Sequence, residues 1–148
     1  MIAVIQRVLR ADVTIESRTS GCIDDGLVIL LGVVMGDTEA DADFLVDKIS
    51  GLRIFPDEDG KMNISLKDYG GAALVISQFT LCGDWRKGRR PGFTNAARPE
   101  EGERLYEYFC KVLKDAGVPV ETGEFGAIMD VSLVNHGPVT FVLDSKQK

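Results

Sequence analysis

The chain has 148 residues, 45% of them hydrophobic and 27% charged, with a formal net charge of −6. That composition is ordinary for a soluble globular protein, the length suits one domain (1–148) with a single core, and the acidic balance excludes general adhesion to nucleic acid. The longest apolar run, residues 26–35, is too short to cross a bilayer, and the first seven residues lack a secretory signal's basic and cleavage regions, so a cytoplasmic protein is expected.

Residues 2–10 and 13–16 have β-type composition, and Asp24-Asp25-Gly26 supplies a turn before a buried strand over residues 27–34. This opening reads as a β-meander. Thr38 stands before Glu39 and Asp41, the pattern of an N-cap with an acidic first turn. The helix it opens carries Phe44, Leu45, Ile49 and Leu52 at helical spacing. A short strand over residues 52–55 ends in the turn-forming Pro56-Asp57-Glu58-Asp59-Gly60. Residues 62–66 alternate weakly, Gly70-Gly71 breaks the chain, and residues 73–81 are apolar enough for a central strand. Pro99 opens a second helix whose Leu105, Phe109, Val112, Leu113 and Ala116 share one face, with Gly117 as its C-terminal stop. Strands are expected again over residues 127–134 and 139–143. Many strands with two main helices indicate an α/β domain with a mixed sheet and helices packed on one side.

Cys22, Cys82 and Cys110 are odd in number and widely spaced, which suggests neither a disulfide framework nor a zinc cage. With His136 as the one histidine, a multi-histidine metal site is excluded, and no metal or cofactor is expected. Arg86, Lys87, Arg89 and Arg90 place four of the seventeen basic residues within five positions. On an acidic chain, such an island suits a local contact with a polyanion, or else a solvated loop.

Two stretches put small polar groups where an apolar strand stops or turns: Ser77-Gln78-Phe79-Thr80-Leu81 and Asn135-His136-Gly137-Pro138-Val139-Thr140. Together with Met1-Ile2-Ala3-Val4-Ile5-Gln6-Arg7-Val8, Leu52-Arg53-Ile54-Phe55, Gly60-Lys61-Met62-Asn63, Lys87-Gly88, Arg90-Pro91, Thr122-Gly123, Phe125-Gly126-Ala127 and Met129, they carry a resemblance to the D-aminoacyl-tRNA deacylase (D-tyrosyl-tRNA deacylase) family. The resemblance spans nearly the whole chain. It departs from the family's pattern at Asp24, Trp85 and Gly92, all in turns or in the basic loop.

The resemblance implies a three-layer β/β/α fold and a homodimer with active sites at the subunit interface. It implies hydrolysis of the ester of D-aminoacyl-tRNA at the acceptor end, and leaves open whether glycine mischarged on alanine tRNA is also removed. Ester hydrolysis needs an activated nucleophile, a place for the oxyanion and a proton route. Thr80 is the obvious side-chain nucleophile, but no base is evident beside it; His136, at a variable position of the family's second motif, reads as a turn residue. The alternative needs no protein nucleophile: the ribose 2′-hydroxyl assists, the Phe79 and Thr80 amides hold the oxyanion, and Thr80 Oγ with Gln78 and Ser77 positions the ester. By resemblance, Gly137-Pro138 is a cis pair whose carbonyls enter the partner's pocket and exclude L-amino acids, Arg7 orients that motif, and Phe125 and Met129 line the pocket near the terminal adenosine. Arg86, Lys87, Arg89 and Arg90 are the candidate tRNA contacts.

Two other readings compete. One is a non-catalytic nucleic-acid-binding module, as described for DNA-unwinding-element-binding relatives, where that role goes with a C-terminal extension; this sequence stops soon after its last strand. The other is a threonine-dependent esterase of small molecules, which leaves the basic loop unexplained.

Overall fold

The computed structural model describes residues 1–147. Its main sheet has six strands, built on β1 (Ile2–Ile15), which pairs along both edges. One edge meets β3 (Gly26–Gly32) through residues 2–8 and β2 (Arg18–Ile23) through residues 11–15, while β8 (Asp130–Asp144) runs antiparallel along the other. Beyond β3, the strands β6 (Ala72–Ser77) and β7 (Val120–Thr122) are added in parallel. The crossovers between these parallel strands carry the helices α1 (Glu39–Gly51) and α3 (Pro99–Asp115). The first crossover also holds a β4–β5 ribbon (Arg53–Pro56 and Met62–Ser65) and the single turn α2 (Leu66–Tyr69).

The α/β class, the mixed sheet and the two main helices agree with expectation. Parallel strands covered on both faces read as unbroken apolar runs, which is why β3 and β6 are evident in the sequence. Their contact is close: a Cβ on Gly26 would lie 1.9 Å from the Ala72 carbonyl oxygen, so this position requires glycine. Other elements differ from expectation. Residues 2–15 form one strand rather than two, since β1 continues through a change of register. The strands β2 and β7 have little apolar pattern of their own; β1 and β6 supply their hydrogen bonds. The turn α2 is set by a local cap, with Ser65 Oγ accepting from the Asp68 amide at 3.1 Å and Gly70 stopping it in the left-handed region.

The two faces of the sheet bury separate cores. On one, α1 and α3 bring Leu45, Ile49, Leu105, Phe109 and Leu113 against Ala3, Ile5, Leu27, Ile29, Leu31 and Val75. On the other, the sheet curls toward a barrel around Val8, Ala11, Val13, Val28, Leu74 and Ile76. β1 serves both by changing face. Ala3 and Ile5 point to the helices, and Ala11 and Val13 to the curl, with register shifts against β8 on either side of Val8. A bulge is the device that reverses the alternation of a strand.

The start and end of the chain meet in a buried polar knot. The α-amino group of Met1, with no exposure, pairs with Asp37 Oδ2 at 2.7 Å and donates to Ser145 Oγ at 2.7 Å. Asp37 Oδ2 also accepts from the Val34 amide, and Ser145 Oγ donates to Asp41, which Lys146 reaches as well. Asp41 doubles as the capping partner of Thr38, accepting its amide hydrogen at 2.9 Å. Burial opposes ionisation of Asp41, but the hydrogen bonds from Lys146, the Thr38 amide and Ser145 outweigh it and hold the carboxyl well below the usual carboxylate range. Among the described residues, no helix is long and apolar enough to cross a membrane.

Asp37→Asn leaves the buried ammonium uncompensated, a change that costs about 3–5 kcal/mol. For a domain of this size, thermal unfolding should fall by roughly 10 °C; an unchanged melting temperature would mean that the pair carries no stability. Because Asp41 titrates lower in the folded state, its contribution is present above a pH of about 4 and is lost as pH falls below it. Asp41→Asn should therefore flatten the acid limb of a melting-temperature profile.

Candidate active site

Parallel strands leave a crevice beyond their carboxyl ends, where the chain departs from the sheet in different directions. Here that edge belongs to β3, β6 and β7. A cavity of about 510 Å³ lies there, lined by Leu31 at the end of β3 and Val33 just beyond it, residues 76–79 at the end of β6, and Phe125, Gly126, Ala127 and Met129 after β7. Pro99, Gly102 and Tyr106 of α3 close its remaining side. Five of the expected site residues therefore meet in one pocket: Ser77, Gln78, Phe79, Phe125 and Met129.

The strand expected to reach residue 81 stops at Ser77. The Gln78 amide donates to the Leu31 carbonyl at 2.8 Å, and the chain turns into a 3-10 helix over Phe79–Cys82. Leu81 then donates to the Gln78 carbonyl and Gly83 to that of Thr80. The Phe79 and Thr80 amides open this turn with no acceptor inside it, as the first N–H groups of any helical turn must. Gln78 Nε2 donates to Thr80 Oγ1. Thr80 is exposed and does not line the cavity.

Among the described residues that line the cavity, none is a carboxylate, imidazole, amine or thiol. Tyr106 is the one phenol. It donates to the Val75 carbonyl at 2.8 Å, and burial pushes its hydroxyl far above the ordinary phenol value, so it stays protonated. What the pocket offers is polar edges and backbone amides on apolar walls.

The second motif lies elsewhere. Thr140 of β8 pairs with Gln6, and Asn135 pairs with Val8, so residues 136–139 stand opposite Arg7 alone and bulge from the sheet. The expected two strands are one strand with this excursion. Gly137-Pro138 is cis and exposed at its tip. Asn135 Nδ2 closes the base, donating to the Arg7 carbonyl at 2.9 Å and to that of Val139 at 3.2 Å. Arg7 is buried; its Nη1 donates to the Ile54 carbonyl at 2.6 Å and its Nε to the His136 carbonyl at 3.3 Å. Neither Arg7 nor Gly137-Pro138 lines the cavity of its own chain.

The basic island forms a hairpin loop, residues 85–91, closed by reciprocal backbone hydrogen bonds between Asp84 and Gly92 at 2.7 and 2.9 Å. It joins the pocket rim through Phe93, whose ring meets that of Phe79 edge-on at 5.1 Å. The Arg86 guanidinium grips Asp84 at 2.8 and 2.9 Å and lowers that carboxyl to about 2, so Arg86 is already paired. Among the described residues, Lys87, Arg89 and Arg90 form no ion pair.

Asn135, Tyr106 and Gly102 are site residues that the sequence reading passed over. Asn135 lay inside a motif with no role assigned, and Tyr106 is hidden in the apolar stripe of α3. Gly102 did carry a signal, because glycine inside a helix costs about 1 kcal/mol against alanine. The space a side chain would fill faces the Phe125 ring, 3.4 Å from where a Cβ would stand.

Comparison with known proteins places these features in a family. The family model described as D-Tyr-tRNA(Tyr) deacylase matches residues 4–144. The chain is 59% identical over 146 residues to the D-aminoacyl-tRNA deacylase of Halalkalibacterium halodurans, spanning 99% of this chain and 100% of that protein. It is 58% identical over 148 residues to that of Thermus aquaticus, spanning 100% and 97%. A solved structure described as c-Myc DNA Unwinding Element Binding Protein superposes with a TM-score of 0.92 at 39% identity, covering 97% of this chain and 98% of the other. A probable eukaryotic D-amino acid tRNA deacylase superposes at 0.80 with 18% identity, covering 96% and 97%, a likeness of fold.

Asn135→Ala removes the two hydrogen bonds that close the excursion. The amides of His136, Gly137 and Val139 should then exchange with solvent faster, by about tenfold for each 1.4 kcal/mol of local stability lost. Exchange in α3 should not change, and equal protection of residues 136–139 in both proteins would rule out the closing role of Asn135.

Proposed function

The chain belongs to the D-Tyr-tRNA(Tyr) deacylase family, and we infer that it hydrolyses the ester linking a D-amino acid to tRNA, with a site completed by a second copy of itself. The observation that carries this reading is the pocket at the carboxyl edge of β3, β6 and β7. It is lined by apolar walls and polar strand ends, and among the described residues that line it there is no carboxylate, imidazole, amine or thiol.

In the reaction, water attacks the ester carbonyl carbon, the bond from that carbon to the ribose oxygen breaks, and the proton from water ends on the ribose. A pocket without a general base favours backbone and substrate groups for this work. The Phe79 and Thr80 amides are positioned at the start of a turn to receive the oxyanion. The Gln78 and Thr80 side chains, joined to each other, orient the ester together with Ser77. The neighbouring ribose hydroxyl serves as the proton relay. Phe125 and Met129 form the wall for the terminal nucleoside.

Chiral selection is assigned to Gly137-Pro138 of the partner copy. In its own chain this motif is exposed, outside the cavity and fastened by Arg7 and Asn135, so it is free to enter another pocket. Val142 and Phe141 are exposed on the same strand and provide apolar surface for such pairing. Fixed backbone carbonyls that bind the amino group and occupy the L side-chain position discriminate by hydrogen bonding and steric exclusion, which reject far more strongly than apolar shape. The basic hairpin then meets acceptor-stem phosphates through Lys87, Arg89 and Arg90. The substrate arises where translation runs, which places the enzyme in the cytoplasm.

The likeness to a DNA-unwinding-element-binding protein favours one other reading, nucleic-acid binding without catalysis. Incubating the protein with D- and L-tyrosyl-tRNA separates the two: ester loss from the D form alone is expected. Equal rates on both, or tight binding without turnover, would reject the deacylase reading. Thr80→Ala should retain substantial activity, and its complete loss would restore a threonyl nucleophile. Neutralising Arg89 and Arg90 together should weaken tRNA binding and reduce the log–log salt slope by roughly 1.4–1.8, the effect of two phosphate contacts; identical salt curves would exclude them from the interface.

A further inference from the structure

Trp85, the one tryptophan of the chain, is 77% exposed, more than any other large aromatic ring left open to solvent. An indole in that position loses the favourable burial that tryptophan ordinarily finds. It stands at the first position of the basic hairpin, on a rigid base formed by the paired backbones of Asp84 and Gly92. Arg86 beside it is held by Asp84. That leaves Lys87, Arg89 and Arg90 within the same loop, none of them in an ion pair among the described residues. Among the described residues, the one cation over a ring is Lys48 over Phe44, both on α1 and outside this loop, and none stands over Trp85.

An open aromatic face flanked by unpaired cations is the composition that holds an unpaired nucleotide: the base stacks on the ring, and the cations take the phosphates on either side. Within a duplex each interior base face is already covered by its neighbours and offers such a ring nothing to stack on. The hairpin also lies next to the pocket rim, through Phe93 against Phe79. An RNA whose last nucleoside occupies the pocket has its preceding, unpaired nucleotides at this loop. We propose that Trp85 stacks on a base of the single-stranded 3′ end of the tRNA, a contact read by shape rather than sequence, while Lys87, Arg89 and Arg90 hold the adjoining phosphates. This rests on the deacylase reading above, for it takes the pocket as the seat of the terminal nucleoside.

The single indole makes the test direct, since all tryptophan fluorescence comes from the proposed contact. The protein is titrated at low salt with an unacylated RNA minihelix carrying a single-stranded 3′ overhang, and with the same duplex made blunt, while binding is followed separately by anisotropy of a label on the RNA. Quenching is expected with the overhang, over the concentration range in which it binds, and not with the blunt duplex. Stacking is worth about 1–3 kcal/mol per base, so Trp85→Ala should weaken overhang binding roughly 5- to 150-fold and leave blunt-duplex binding as it was. Trp85→Phe should retain most of the affinity. Binding of the overhang without quenching, or with full affinity in Trp85→Ala, would overturn the proposal. So would a fluorescence change that follows protein concentration alone, which would assign Trp85 to a contact between copies. D-specific turnover by a protein whose Trp85 ignores the overhang would leave the deacylase reading intact, whereas loss of that specificity would remove the premise.

Discussion

The pairing of β1 with β8 is the constraint on which the rest depends. β1 has to bury side chains in the helical core through its first half and in the curled core through its second. Strict alternation would keep Ala3, Ile5, Ala11 and Val13 on one face, so sending the first two to one core and the last two to the other requires a bulge. The change of face falls at Leu9, the extra residue between the pairing of Val8 with Asn135 and that of Arg10 with Val134, and directly beside it, opposite Arg7, β8 throws residues 136–139 out of the ladder. An exposed Gly-Pro tip on a long, well-paired strand thus stands next to the point where β1 passes from one core to the other. Arg7 sits opposite that excursion with its guanidinium on the carbonyls of Ile54 and His136, fixing it to the β4–β5 ribbon.

The other half of the chemistry follows from chain direction. Parallel strands β3, β6 and β7 end at one edge, and each continues differently: into the segment before α1, into a 3-10 turn, and into the loop before β8. The crevice they leave is polar where strand-end backbone groups face it and apolar elsewhere. Among the described residues of its lining there is no carboxylate, imidazole, amine or thiol. A site of this kind acts by positioning and by fixed dipoles, which need no reorganisation during reaction. Gln78 is central, because its amide ends the strand on Leu31 and its side chain holds Thr80.

Much of this was legible in the residues, and what was hidden was hidden for physical reasons. The 3.6-residue periodicity of α3, the Thr38 cap of α1 and the apolar runs of β3 and β6 are local properties, and they stand where the sequence places them. β2 and β7 are strands only because neighbours pair with them. The apolar Phe79 and Leu81 extended the sixth strand on paper, whereas the chain turns there after Gln78 donates its amide to Leu31 of another strand. In the site, the Ser77–Thr80 motif could be seen, but not its meeting with Phe125 and Met129, which depends on how the crossovers lie. Arg86 counts as one more charge in a basic run, yet Asp84 two residues earlier removes it from service. That pairing could have been read from the spacing, since residues two apart in a turn are within reach of one another.

The separation of the two motifs within one chain bears on specificity. A filter made of side chains on the pocket's own wall would sense the size and polarity of the amino acid, and so would distinguish one D residue from another. A filter made of backbone carbonyls carried on a rigid excursion can sense only where the amino group and the side chain lie about the α-carbon. Such a device reads configuration and is indifferent to identity. It demands that the excursion be fixed relative to the pocket to within a fraction of an ångström, and a loop flexible enough to reach its own pocket could not meet that demand. The filter proposed for β8, fastened at both ends by the sheet and at its base by Asn135 and Arg7, meets that demand on condition that the pocket it serves belongs to the neighbouring copy.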